Sequence, residues 1–417
     1  MATPKKQISQ RKVLSILISG QILAGLGVGI NVTGGSILIA QVSGDEGMSG
    51  LAVTVAFLGA ALVSVPLARI ADKHGRRFGL GLGMAIAAVG AIVGLYGTSI
   101  NSLWLILLAF TMLGAAAAST LQSRFAATDL SLAKHRGRDL SIIVWSGVIG
   151  SVIGPNMVPI GMEIGQSMGL PGMTGIFLPP LAGQLLASAI FFIFLRPDPL
   201  IQARQMLATA RENQPKSAPA YAGNMKIVIF AMTSIALSQF VMNGLMAMTP
   251  MHLLHHGGDI TIIGITISLH IAGMYGISPL FGIMSDKIGA IPTIIFGQAQ
   301  LLASMLIVIL WAENQNLLMV SLVLLGTGWS AASVAGSVLI TQYSPTKIRV
   351  KLQGRSDMFT NIAGASGPAL SGLLFTQIGF IGLAWILMIP IAIICIYTMQ
   401  IRGVSKATEA PSPEELL

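Results

Sequence analysis

Residues 68–77 read ARIADKHGRR, and residues 282–289 read GIMSDKIG. Both carry an Asp-Lys pair with a glycine two residues on: Asp72-Lys73 with Gly75, and Asp286-Lys287 with Gly289. The two aspartates lie 214 residues apart. A second echo keeps nearly the same offset. GSVIGP (150–155) and GASGP (364–368) place Pro155 and Pro368 213 residues apart. One helical unit therefore occurs twice in the same direction.

The surroundings of these loops say what the unit is made of. The chain has 417 residues, 53% hydrophobic and 9% charged, with a mean hydropathy of +0.79. Soluble domains carry about 25% charged residues, so this much apolar surface needs lipid as its solvent. The net charge of +9 does not point to nucleic acid, because the basic residues sit in short groups between apolar runs. The single Cys395 excludes an intramolecular disulfide and a cysteine-rich metal site. The apolar run after the N-terminus is too long for a cleavable signal core.

A bilayer crossing takes about 20 apolar residues. Twelve such runs are present, at roughly 13–40, 50–70, 78–98, 103–126, 141–160, 174–195, 226–250, 260–284, 290–311, 317–342, 357–377 and 380–401. All 24 Lys and Arg fall in alternate connections or tails, and the opposite connections carry Asp45, Glu46, Glu163, Asp259 and Glu313. The positive-inside rule then puts both termini and the central linker in the cytoplasm. The expected architecture is an all-α membrane protein of twelve transmembrane helices in two six-helix pseudo-symmetric bundles. Its boundaries are 1–195 for the first bundle, 196–225 for a cytoplasmic linker, 226–402 for the second bundle and 403–417 for a disordered tail.

The loop at 68–77 resembles the signature between helices 2 and 3 of the major facilitator superfamily, with Asp72, Lys73, Gly75, Arg76 and Arg77 matching and Ala68 replacing a glycine. The resemblance implies a gating role for these residues and for Asp286, with Asp72 pairing with basic groups and a helix N-terminus when the cytoplasmic side is closed. GSVIGP resembles a helix-5 motif of antiporters but lacks the glycine expected after it. Arg124, near the cytoplasmic end of helix 4, is a candidate coupling residue, with snorkelling to the interface as the plain alternative. All fifteen acids are assigned to connections and tails, Asp357 among them on the cytoplasmic side.

One further pattern carries chemistry. Residues 242–258 read MNGLMAMTPMHLLHHGG, and 270–274 read HIAGM. Met242 and Met246 are one turn apart on helix 7, as are His270 and Met274 on helix 8. At 1.5 Å per residue, His270 lies roughly 15 Å into its span, near the midplane. Thioether and imidazole suit Cu(I), whereas magnesium, calcium and manganese prefer oxygen. The bland alternative is that methionine fills gaps in a core. Met248, Met251, His252, His255 and His256 form a candidate capture set at the outer mouth. Met157, Met162, Met168 and Met173 form a second, less favoured one.

The paired M-x-x-x-M and H-x-x-x-M motifs resemble those of the CcoA-like (CalT) copper importers, facilitators that supply copper for assembly of cbb3-type cytochrome c oxidase. The resemblance implies Met242, Met246, His270 and Met274 as ligands during passage, with His270 also a candidate for coupling. Members with functional thiols have no counterpart here beyond Cys395. The expected protein is a non-enzymatic secondary transporter importing copper across a bacterial inner membrane by alternating access. Copper is its substrate rather than a resident cofactor. Its partners are the lipid bilayer and periplasmic or cytoplasmic copper donors and acceptors, with no nucleic acid. The alternatives are an importer of riboflavin-like or other organic solutes and a proton-coupled efflux antiporter.

Overall fold

A computed structural model describes residues 8–30, 34–45, 48–212, 223–257 and 260–401. The tail at 403–417 and linker residues 213–222 lie outside the described residues. The first bundle runs α1 (Gln10–Ile30), α2 (Ser36–Ser43), α3 (Leu51–His74), α4 (Arg76–Ser99), α5 (Leu103–Ala126), α6 (Arg136–Ser167) and α7 (Leu178–Phe194). A connecting helix α8 (Pro199–Glu212) follows. The second bundle runs α9 (Met225–His255), α10 (Ile260–Ile271), α11 (Ser278–Ile288), α12 (Ala290–Trp311), α13 (Gln315–Tyr343) and α14 (Arg349–Ile401). A π-turn at Ala272–Gly276 joins α10 to α11.

Twelve crossings result. Ten helical segments among the described residues are long and apolar enough to span a bilayer. Of these, α14 crosses twice, folding back at Gly379, whose φ of 68° and ψ of −175° suit glycine alone. α1, 21 residues long, is of the length that the remaining crossing needs. The internal repeat reappears in the backbone. Gly75 takes φ 98°, ψ 165° between α3 and α4, and Gly289 takes φ 100°, ψ 154° between α11 and α12.

Small residues let the helices approach, as lipid-embedded packing requires. A Cβ on Gly150 would fall 2.6 Å from the Cα of Gly25, so the GSVIGP stretch seats α6 on α1. Large apolar side chains such as Leu62 and Trp104 point outward.

The two bundles meet along α3–α14 and α6–α11. Close contacts cross between them at the end carrying the Lys/Arg-rich loops, called here the basic end, and one lies farther along, where a Cβ on Gly364 of α14 would fall 2.8 Å from the ring of Phe57 of α3. A Cβ on Gly354 would fall 2.2 Å from Ala68 Cβ, and one on Gly282 2.1 Å from Ser141 Oγ and 2.3 Å from Gly137 O. Ser278 Oγ donates to Ser141 O at 3.2 Å. Farther along, α6 turns to its own bundle, where Gly161 and Gly165 pack on Gly175. The basic end is closed.

Candidate functional site

The closed end is built from charges that the sequence places in loops. Arg76, buried at the start of α4, grips Asp129 through two bonds of 2.8 and 3.1 Å and donates to Gln353 of α14 at 2.8 Å, linking the bundles. Asp286 accepts from the backbone N–H groups of Gly137 and Arg138 at 2.7 and 2.9 Å, capping the start of α6 across the bundle boundary. This is the helix-terminus role expected of Asp72. Asp72 instead pairs with Arg204 of α8, and Lys351 of α14 stands 3.9 Å away. Asp198, just before α8, accepts from Arg77 N at 2.8 Å and so caps α4. Lys73 is exposed, and Arg77 lies over the ring of Phe78 at 4.7 Å.

Arg124 does not snorkel. It is buried at the end of α5, and its Nη2 stands 2.8 Å from Asp357 Oδ1 on α14. Asp357 is fully buried eight residues into its helix. The placement of every acid in connections and tails is therefore corrected at this residue. The polar run before 357 delayed the predicted span, whereas the helix begins at Arg349 and carries the carboxylate inward. Asp139, likewise assigned to a loop, is buried in the first turn of α6, where Gln10, Ser131 and Arg138 donate to it.

The four residues of the paired motifs lie in the second bundle. His270 is fully buried, and its Nδ1 stands 2.7 Å from the carbonyl oxygen of Leu322 on α13. A carbonyl only accepts, so Nδ1 carries the proton and Nε2 of the neutral ring keeps its lone pair. Nε2 is buried with no hydrogen-bond partner. Met242 and Met274 belong to one apolar cluster, and Met246 and Met248 pack against it. Met274 sits in the π-turn, a helical irregularity frequent at functional sites. The helices do not pair as expected of an antiparallel neighbour. The helix carrying His270 packs chiefly on α13 and touches α9 lightly.

The outer set disperses. His252 is buried, stacked on Phe380 at 4.3 Å, with its Nε2 2.8 Å from Ala312 O, so packing absorbs it. His256 lies against it at 4.1 Å between ring centroids, and its Nδ1 donates to His252 O. His255 and Met251 are exposed. Among the described residues, no group of three His, Cys, Asp or Glu is arranged to hold a metal ion. Met157 and Met162 pack against the first bundle's core and Met173 lies within it, leaving Met168 exposed.

The model of the Major Facilitator Superfamily matches residues 17–204 and 228–416, one stretch for each bundle. The chain belongs to the major facilitator superfamily. This facilitator is 34% identical over 404 residues, covering 94% of each chain, to YdeG of Bacillus subtilis (strain 168), described as an uncharacterised transporter of this type. It is 26% identical over 405 residues to the riboflavin transporter RfnT of Brucella anthropi, covering 96% of this chain and 98% of that one. Its fold matches the human organic anion transporter MFSD10 with a TM-score of 0.73 at 16% identity, covering 94% of this facilitator and 100% of MFSD10. The chain is thus a secondary transporter of the multi-pass kind.

Proposed function

We propose that this facilitator imports copper, passing it between the thioethers of Met242, Met246 and Met274 and the imidazole of His270. The observation that carries this reading is the orphaned Nε2 of His270. An unpaired buried acceptor costs about 1–3 kcal/mol, and a ring whose other nitrogen is fixed by a backbone carbonyl is set up as metal-ligating histidines are. Three of the four residues are buried, and the three methionines meet in one apolar cluster. Neutral ligands suit a monovalent soft ion in low dielectric, because they leave no fixed charge behind when it moves on. On the positive-inside orientation the basic end is cytoplasmic, and its closure describes a carrier ready to load from the periplasm.

The likeness to RfnT over nearly its whole length favours a second reading, an importer of riboflavin-like solutes. Isotopic copper uptake into cells separates the two. The copper reading expects uptake that Met242→Ala, Met246→Ala, His270→Ala and Met274→Ala each reduce at equal membrane levels. Riboflavin uptake with no copper uptake in the same cells sinks it.

A further inference from the structure

Trp329 stands apart from the other four tryptophans. Trp104, Trp145, Trp311 and Trp385 are 41–81% exposed, whereas Trp329 is 7% exposed and belongs to the cluster of Met242 and Met274. Its indole N–H donates to Gln239 Oε1 at 2.6 Å, and the ring of Tyr275 meets it edge-on at 5.8 Å. Both contacts fix the ring in place.

The register of the two helices gives that bond its meaning. Gln239, Met242 and Met246 stand at i, i+3 and i+7 of α9, on one face. Leu322, Gly326 and Trp329 stand at i, i+4 and i+7 of α13, also on one face. Leu322 accepts the His270 bond, and a Cβ on Gly326 would fall 2.5 Å from His270 O and 3.0 Å from Met274 N. The Trp329–Gln239 bond thus joins the methionine face of α9 to the histidine face of α13. It supplies the link that the light contact between α9 and α10 does not.

We propose that Trp329 is a specificity-determining residue of the transport path, its indole face walling the methionine–histidine site and attracting a soft monovalent cation there. This rests on the copper reading. An indole face attracts a desolvated cation through its quadrupole but donates no lone pair, so it leaves the ion with few ligands and free to move on. A divalent zinc ion needs four N, S or O ligands and gains little from such a wall.

The test uses purified full-length protein in detergent with Trp104, Trp145, Trp311 and Trp385 replaced by Phe, so that Trp329 is the sole indole. Cu(I) held by a competing chelator is titrated in, and indole emission and bound metal are read together. The inference expects emission to fall with the same midpoint as binding. It also expects Trp329→Leu to weaken Cu(I) binding tenfold or more, and Trp329→Phe to weaken it less, with zinc binding unmoved in both. Thermal unfolding checks that each variant is folded. Unchanged emission on saturation, or unchanged Cu(I) affinity in a folded Trp329→Leu protein, overturns it while leaving the copper reading intact. If the Trp329-only protein binds no more Cu(I) than its Met242→Ala and His270→Ala derivatives, the copper reading itself falls and the inference with it. Quenching by riboflavin in place of Cu(I) assigns the indole to an organic cargo and overturns both.

Discussion

Arg124→Gln leaves the Asp357 carboxylate buried and without its guanidinium, since both side chains lie inside the closed boundary between α5 and α14. Breaking a buried pair by removing one partner costs about 3–5 kcal/mol. Arg76 lies close enough to Asp357 to act on it electrostatically and offsets part of that loss, so the low end, about 3 kcal/mol, applies. The loss falls on the state closed at the basic end, because opening lets water reach the carboxylate. At about 1.4 kcal/mol per decade, the closed state loses about 100-fold in population relative to the open one. Ser141→Cys in a Cys395→Ala background reports on this, because Ser141 is buried against Gly282 and Ser278. Alkylation by a water-soluble maleimide is expected to be slow in the parent and about 100-fold faster with Arg124→Gln. The charge swap Arg124→Asp with Asp357→Arg restores slow labelling. Equal rates in the parent and in a folded Arg124→Gln protein would mean that this pair does not hold the end shut.

Two further outcomes follow from the same boundary. Asp286→Ala removes the cap on Gly137 N and Arg138 N, which costs about 1 kcal/mol and raises labelling at position 141 roughly five-fold, with lower thermal stability in detergent. Gly282→Val puts a side chain where even a Cβ lies 2.1 Å from Ser141 Oγ. It abolishes net uptake at normal membrane levels and leaves position 141 labelled as fast as an open end allows, measured by the same reaction.

Much of this was legible in the sequence because lipid enforces it. Twelve apolar runs had to be helices, since backbone groups in a bilayer must bond within their own segment, and the doubled Asp-Lys-x-Gly loops reappear as two glycines with nearly the same φ. His270 is fully buried, as a lone polar side chain within an apolar run has to face protein, but its packing on α13 rather than on α9 carried no sequence signal. The partners of these residues were not legible. Composition alone could not show that Asp357 rides two turns into α14 to meet Arg124, because helix ends follow packing as well as hydropathy. The exchange of Asp72 onto Arg204 depends on α8, which lies in a stretch read only as a polar linker. His252 looked like a metal donor by residue type, and its stacking on Phe380 arises only when the two ends of the bundle fold together. Trp329 gave no motif at all; its signal is a helical register shared with residues far along the chain.

The proposed copper path runs by way of Met242, Met246, His270 and Met274. Purified protein in proteoliposomes, loaded inside with a Cu(I) chelator and supplied outside with isotopic Cu(I), tests it without other cellular carriers. Copper entry is expected to be saturable in the parent and reduced at least tenfold in Met242→Ala and His270→Ala proteins reconstituted in equal amounts. Copper entry no faster than in empty vesicles, alongside saturable entry of riboflavin, would contradict that path.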